Sequence, residues 1–554
     1  MSAAIVIIFG VSWFIFAYLW YGKVIQKKVL KIDDSNITPS NQLNDGMDYV
    51  PTKPSILFGH HFSSIAGAGP IVGPIIAFAY FGWLPAMLWV LIGSVFMGAV
   101  HDYAALVASL RSRGESIVEI TKTAVSGRAS AIFAAFVWLT LVLVQAVFAD
   151  LTAKTLAEDP HIVIPTVGIL LIALLFGFFV YRKGMSVVAG TVICLAMLFG
   201  LILLGAEVPI NIESIMGIST YHFWLLFAII YSFIAATLPV WLLLQPRDYL
   251  SMYLLIIGLF AGLIGLVAGN PTISAPAFIS FNSEGGAMFP MLFIIIACGA
   301  ISGFHSLVAS GTSAKQLRKE SDGKFVAYGS MLTEGLLALM VIVMISSLLV
   351  WLPGGSGGST INGYAFQDLF LKSPNIVFGY GLGLSIDSLG IPIKLGISFG
   401  ILMLNAFILT TLDTSARLNR YVVTETIGKK YGGIFKNKYF STAVSLFFAY
   451  ILCLGGGYRV IWPVFGASNQ LIATLALFVV TVFFLGYKSP KWYTLIPAII
   501  MLIITETALI YNSVASYIPE SQWHLAIISV VLFVLGLIVA FEVYKKLRMM
   551  RVSN

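Results

Sequence analysis

The sequence predicts an all-α polytopic membrane protein of about fifteen transmembrane helices, with a core of two inverted five-helix repeats containing discontinuous helices. Three observations lead there. Of 554 residues, 59% are apolar and only 10% are charged, and the mean hydropathy is +0.96, which excludes a water-soluble domain with a charged surface. The apolar residues fall into runs close to the ~20 residues that cross a bilayer as a helix. Proline and glycine interrupt two of those runs, and broken backbone at membrane depth is tolerated only where protein or a cavity surrounds it.

In chain order, spans are expected at 3–22, 56–80, 85–108, 130–150, 162–181, 185–206, 221–244, 249–268, 289–310, 325–352, 391–413, 439–457, 462–485, 493–512 and 523–544. The stretch 1–22 lacks a basic leader and a small-residue cleavage site, so it reads as a retained extra helix. A cytoplasmic loop 23–55 follows, then repeats at 56–206 and 221–413, four C-terminal helices at 439–544 and a cytoplasmic tail at 545–554. No stretch is left for a large soluble domain.

Charge supports this layout. With 23–55 inside and sides alternating from there, all but four of the 32 Lys and Arg residues fall on the inner side; the exceptions are Lys154, Lys372, Lys394 and Arg459. A single missed span would scramble that bias. The N-terminus is therefore expected outside and the C-terminus inside. The net charge of +8 comes from these short clusters, which mark topology and not nucleic-acid binding. Cys194, Cys298 and Cys453 are isolated within apolar runs, so neither a disulfide framework nor a cysteine-based metal site is implied.

The first interrupted run reads Phe58-Gly59-His60-His61-Phe62-Ser63-Ser64, then Gly67, Gly69, Pro70, Gly73 and Pro74; the second carries Pro239 in Ala235-Ala236-Thr237-Leu238-Pro239-Val240-Trp241. They are five spans apart and run in opposite directions, the pointer to a transporter's binding site between inverted halves. A helix starting near Gly67, Gly69 and Pro70 would offer N–H donors and a positive dipole end to a carboxylate. The alternative for these glycines is close helix packing.

His60, His61, His101 and His305 lie within expected spans, and intramembrane ionisable groups are candidates for function. His60 shares a helix face with Ser64, and an imidazole could bind a carboxylate or relay a proton; a neutral ring bonded to a neighbouring carbonyl is the alternative. Asp102 lies nine residues before Arg111, ~13 Å into the membrane at 1.5 Å per residue. It is either a proton carrier or a structural partner of His101 or a remote arginine. Glu334 has the same two options. Ser302, Ser306, Ser310 and Ser313 draw one hydroxyl stripe with His305 beside it, a ligand set for substrate or cation, or interhelix glue. Asp413 is expected to pair with Arg417 four residues on, and Arg247 with Asp248 to fasten an inner loop. With no phosphate-binding loop and no room for an ATPase domain, coupling is expected to come from an ion gradient. No metal, cofactor or catalytic residue is expected.

The motifs Asn44-Asp45-Gly46-Met47-Asp48-Tyr49-Val50-Pro51-Thr52, Leu57 to Phe62, Leu238 to Tyr249, Ala297-Cys298-Gly299-Ala300-Ile301-Ser302-Gly303-Phe304-His305 and Trp462 to Gln470 resemble the carbon starvation protein A (CstA) family across roughly 44–480. The resemblance implies a multi-pass protein of the bacterial inner membrane, induced on carbon starvation and importing short peptides, with pyruvate as the alternative substrate. It also implies the amino-acid/sodium symporter type of fold. On this reading a small carboxylate-bearing nutrient meets His60, His61, Ser64, Gly67, Gly69, Pro70, Pro239, Ser302, His305 and Ser306, while Asp102 or Glu334 exchanges a proton or other coupling ion. A nutrient sensor without transport is the rival class. The chain departs from longer members in lacking one N-terminal helix and in a shorter outer loop near 353–390.

Overall fold

The structure is a computed structural model that describes residues 1–46, 48–212, 217–239, 242–352, 364–424, 428, 432–455 and 457–552. Among the described residues, twelve helices are long and apolar enough to cross a membrane, and the pair Pro54–Ile65 and Gly69–Phe81, bent by 41°, makes a thirteenth span. Two expected spans are shorter than that. The stretch 289–310 divides into Met288–Ile295 and Gly303–Gly311, and 439–457 becomes Lys438–Leu454.

Position in the bundle follows from apolar coverage. Gly127–Glu158, Ile393–Val423 and Tyr458–Leu485 are mostly buried and form the centre, whereas Ala3–Val29, Val187–Glu207 and Trp523–Met550 keep most of their apolar surface uncovered. Ile5, Phe9, Trp20, Val188, Val192 and Ile527 are exposed, an arrangement suited to lipid and unsuited to water.

The ends of the bundle sort by charge. At one end Ala3 N–H donates to Pro271 O (2.9 Å) and Ala275 N–H to Ser346 O (3.2 Å). At the other, Arg111 pairs with Glu320 (3.0 Å), Lys31 Nζ donates to Tyr487 O (2.8 Å) and Lys438 Nζ to Thr237 O (3.0 Å). The described parts of the basic segments thus gather on one face, as the alternating layout requires.

Within the expected 353–390 loop, 353–363 lie outside the described residues, and two helices follow, Phe366–Lys372 and Pro374–Asp387. Asn375 at the start of the second bonds Thr155, and Ser385 and Ser388 at its end donate to Gly262 O (2.8 Å) and Gly265 O (2.9 Å). This helix packs antiparallel along the start of Ile393–Val423, where Gly383 Cα lies 2.7 Å from where a β-carbon of Gly396 would sit and Gly379 Cα 3.1 Å from that of Gly400.

The expected mid-span interruption at Pro239 is corrected. Thr220–Thr237 simply ends, and Pro239 is an exposed residue of the turn leading to Leu244–Gly269; Val240 and Trp241 lie outside the described residues. Proline's missing N–H and its ring clash stop a helix, but here they do so at the surface. The second interruption is at 296–302, two spans later, so the breaks do not fall at matching places of 56–206 and 221–413.

Candidate functional site

Pro70 cannot donate to Ala66 O and its ring would clash there, so the helix ending at Ile65 stops, Ala66 turns away (ψ 54°), and a new helix begins at Gly69 with Pro70 in its first turn. The second break has no proline. Side chains of neighbouring helices hold it open instead: Trp89 Nε1 donates to Ile296 O (3.1 Å), Gln470 Nε2 to Phe293 O (2.6 Å), and Asn469 Oδ1 accepts from Phe304 N–H (2.9 Å). Asn469 Nδ2 also donates to Ser302 Oγ (2.9 Å). The adjacent amides Asn469 and Gln470 thereby satisfy the backbone groups that a broken helix frees.

The two breaks face each other. A β-carbon on Gly69 would meet Cβ and Sγ of Cys298, both at 2.5 Å, and Pro70 Cα lies 3.6 Å from where a β-carbon of Gly299 would sit. Gly67 abuts Thr411 of the central helix Ile393–Val423. The glycines are therefore used for close approach, the packing alternative named above.

Beside this junction runs a fully buried chain of acids and imidazoles. His101 Nδ1–H donates to Asp102 Oδ1 (2.7 Å), His305 Nδ1–H to Asp102 Oδ2 (3.0 Å), and His305 Nε2 lies 3.4 Å from Glu334 Oε2. Neither Glu334 oxygen has a hydrogen-bond partner, and neither does His305 Nε2. Cys298, His305 and Glu334 each offer one atom within 4.8 Å of the others, a spacing that a single small cation could bridge.

The remaining expected site residues divide. His61 is buried and its Nδ1 bonds Ser313 Oγ (2.7 Å), while Ser64 donates to His60 O and Ser306 to Gly303 O within their own helices. The serine stripe is not one helix face, because Ser302 precedes Gly303–Gly311 and Ser313 follows it. Pro239 takes no part in the junction.

His60 joins a second cluster built on the expected Arg247–Asp248 pair, which lies buried in the helix Leu244–Gly269 and not in an inner loop. Its Nδ1 lies 3.4 Å from Asp248 Oδ2; Arg247 Nη2 donates to Asp248 Oδ1 (2.9 Å), and Nη1 donates to Asp413 and Tyr231. Tyr231 OH donates to Asp413 Oδ2 (2.8 Å). The expected Asp413–Arg417 pair is corrected: Arg417 donates to Ala235 O (3.0 Å) and Leu238 O (2.5 Å), and the partner of Asp413 is the buried Arg247. Sequence spacing cannot identify a partner some 170 residues away, although three ionic residues bordering apolar runs are a signal that they must be paired inside.

The sequence profile described as Carbon starvation protein CstA matches residues 2–352 and 369–508. The chain belongs to the CstA family. Among CstA-family relatives, it is similar to the peptide transporter CstA of Bacillus subtilis, 33% identical over 99% of this chain and 97% of that one. It is also similar to the pyruvate/proton symporter BtsT of Escherichia coli, 34% identical over 92% of this chain and 81% of that one. A solved structure, MhsT in complex with L-phenylalanine, covers 89% of this chain and 99% of its own with a TM-score of 0.46 at 13% identity.

Proposed function

We propose that this CstA-family chain is a secondary active importer of short peptides, driven by a proton gradient, with substrate held where the two interrupted helices meet. The observation that carries the proposal is the buried chain Glu334–His305–Asp102–His101 beside that junction. A buried ionised carboxylate without donors costs several kcal/mol, so one proton shared between Glu334 and His305 Nε2 neutralises the pair. Moving that proton off changes the charge beside the breaks, and a substrate carboxylate held there would couple to it. Asp102 and Glu334 are the proposed proton carriers, and no catalytic role is proposed for either. Pyruvate is the second reading, favoured by the name of the Escherichia coli relative.

The proposed setting is a bacterial inner membrane, with the N-terminus outside and the basic face and C-terminal tail inside, following the distribution of Lys and Arg. The test is uptake of labelled dialanine and labelled pyruvate into proteoliposomes under an imposed pH or sodium gradient. The proposal expects dialanine to accumulate when the outside is acid. Binding of either compound without flux would make the chain a sensor.

A further inference from the structure

On the N-terminal face a cleft of about 440 Å³ borders both interrupted helices, a volume within the range of small-ligand sites, roughly 300–1,000 Å³. Its floor includes Ile76 of Gly69–Phe81 and Ile295 of Met288–Ile295, so both interrupted helices contribute. Its charged lining is one cation and two anions, Arg459 with Glu284 and Glu520. Arg459 is held in place: Nη2 donates to Leu371 O (2.8 Å) and Phe370 O (3.3 Å), and Nε to Tyr458 OH (3.2 Å). Its Nη1 has no hydrogen-bond partner among the described residues. Glu284 sits on the turn between the paired strands Asn282–Ser283 and Gly286–Ala287, which Tyr511 OH fastens by accepting from Ala287 N–H (3.0 Å). Gly285, the next residue of that turn, packs against the Tyr80 ring, and Tyr80 lines the cleft together with Glu284 and Arg459.

We infer that this cleft is an entry site for zwitterions, in which Arg459 receives the carboxylate of a short peptide and Glu284 and Glu520 receive its ammonium group. The inference rests on the importer reading above and specifies its substrate class. A monocarboxylate such as pyruvate brings only the anionic end, and two glutamates against one arginine repel it. A zwitterion meets an opposite charge at each end, and charge-assisted hydrogen bonds are the stronger kind.

The test measures binding of dialanine, dialanine amide, N-acetyl-dialanine and pyruvate to the purified full chain, and their uptake in proteoliposomes. The wild-type protein is expected to bind dialanine tightest of the four. Arg459→Gln should raise the Kd of dialanine roughly tenfold, the size of one such contact, and leave that of the amide unchanged, while Arg459→Lys retains part of the preference. Glu284→Gln combined with Glu520→Gln should weaken dialanine but not N-acetyl-dialanine. Glu284 is exposed and makes no hydrogen bond among the described residues, so the glutamate variants report even if Arg459→Gln fails to fold. Equal weakening of dialanine and its amide by Arg459→Gln would assign Arg459 to packing alone and overturn the inference. Tighter binding of pyruvate than of dialanine would also overturn it. Selective binding without flux would sink the importer reading and leave the cleft intact, whereas flux without selectivity would sink the cleft and leave the importer.

Discussion

At Gly69 a β-carbon would fall 2.5 Å from both Cβ and Sγ of Cys298, so substitution there acts on packing before it acts on binding. Gly69→Val is expected to destabilise the protein by about 1–3 kcal/mol, the cost of overpacking a filled core, and Cys298→Gly in the same chain should recover part of the loss. Thermal unfolding in detergent checks both. Arg247 makes a sharper case, because its guanidinium is shared by the buried Asp413 and Asp248, and removing it leaves two carboxylates uncompensated. Arg247→Met should cost ~3–5 kcal/mol, and Arg247→Met combined with Asp413→Leu and Asp248→Leu much less. Arg417→Gln should cost less than Arg247→Met, since Arg417 donates to two carbonyls and neutralises no acid. Had Asp413 paired with Arg417, Arg417→Gln would be the costlier of the two.

Individual elements show why some helices break without a signal of their own. Pro70 announces the first break, because it forbids the hydrogen bond that would continue the helix. The second break, between Ile295 and Gly303, carries Gly299 but no proline, and its free groups are met by Trp89, Asn469 and Gln470. The instruction for that break is thus written on other helices, and periodicity along 289–310 reads as one span. Pro239 misleads for the converse reason: at a helix end, proline terminates and does not interrupt. Asn469→Leu is expected to leave Phe304 N–H and Ser302 without their partner and to cost about 1–3 kcal/mol, whereas Asn405→Leu removes only a bond to Thr166 Oγ1 at 3.1 Å. The comparison of the two melting temperatures tests whether the amide holds the break.

The whole molecule was the most legible level. Composition alone dictated a helical membrane protein, and the basic residues marked one face, because both depend on sums over many residues and not on who touches whom. Asp102, His305 and Glu334 were legible as candidates, since ionisable groups inside apolar runs are conspicuous, but their mutual contact was not. Topology can be tested on the native background, because all three cysteines are buried. A cysteine at exposed Ile37 should resist an impermeant reagent added to intact cells, while one at exposed Phe281 should react; the reverse pattern would invert the protein in the membrane. The most direct test of the central claim is dialanine accumulation against counterflow in proteoliposomes carrying Asp102→Asn or Glu334→Gln. If these carboxylates hold the coupled proton, at least one variant loses accumulation driven by the pH gradient while keeping exchange of labelled for unlabelled substrate. If both variants accumulate dialanine as the wild type does, the buried chain through His305 does not carry the proton.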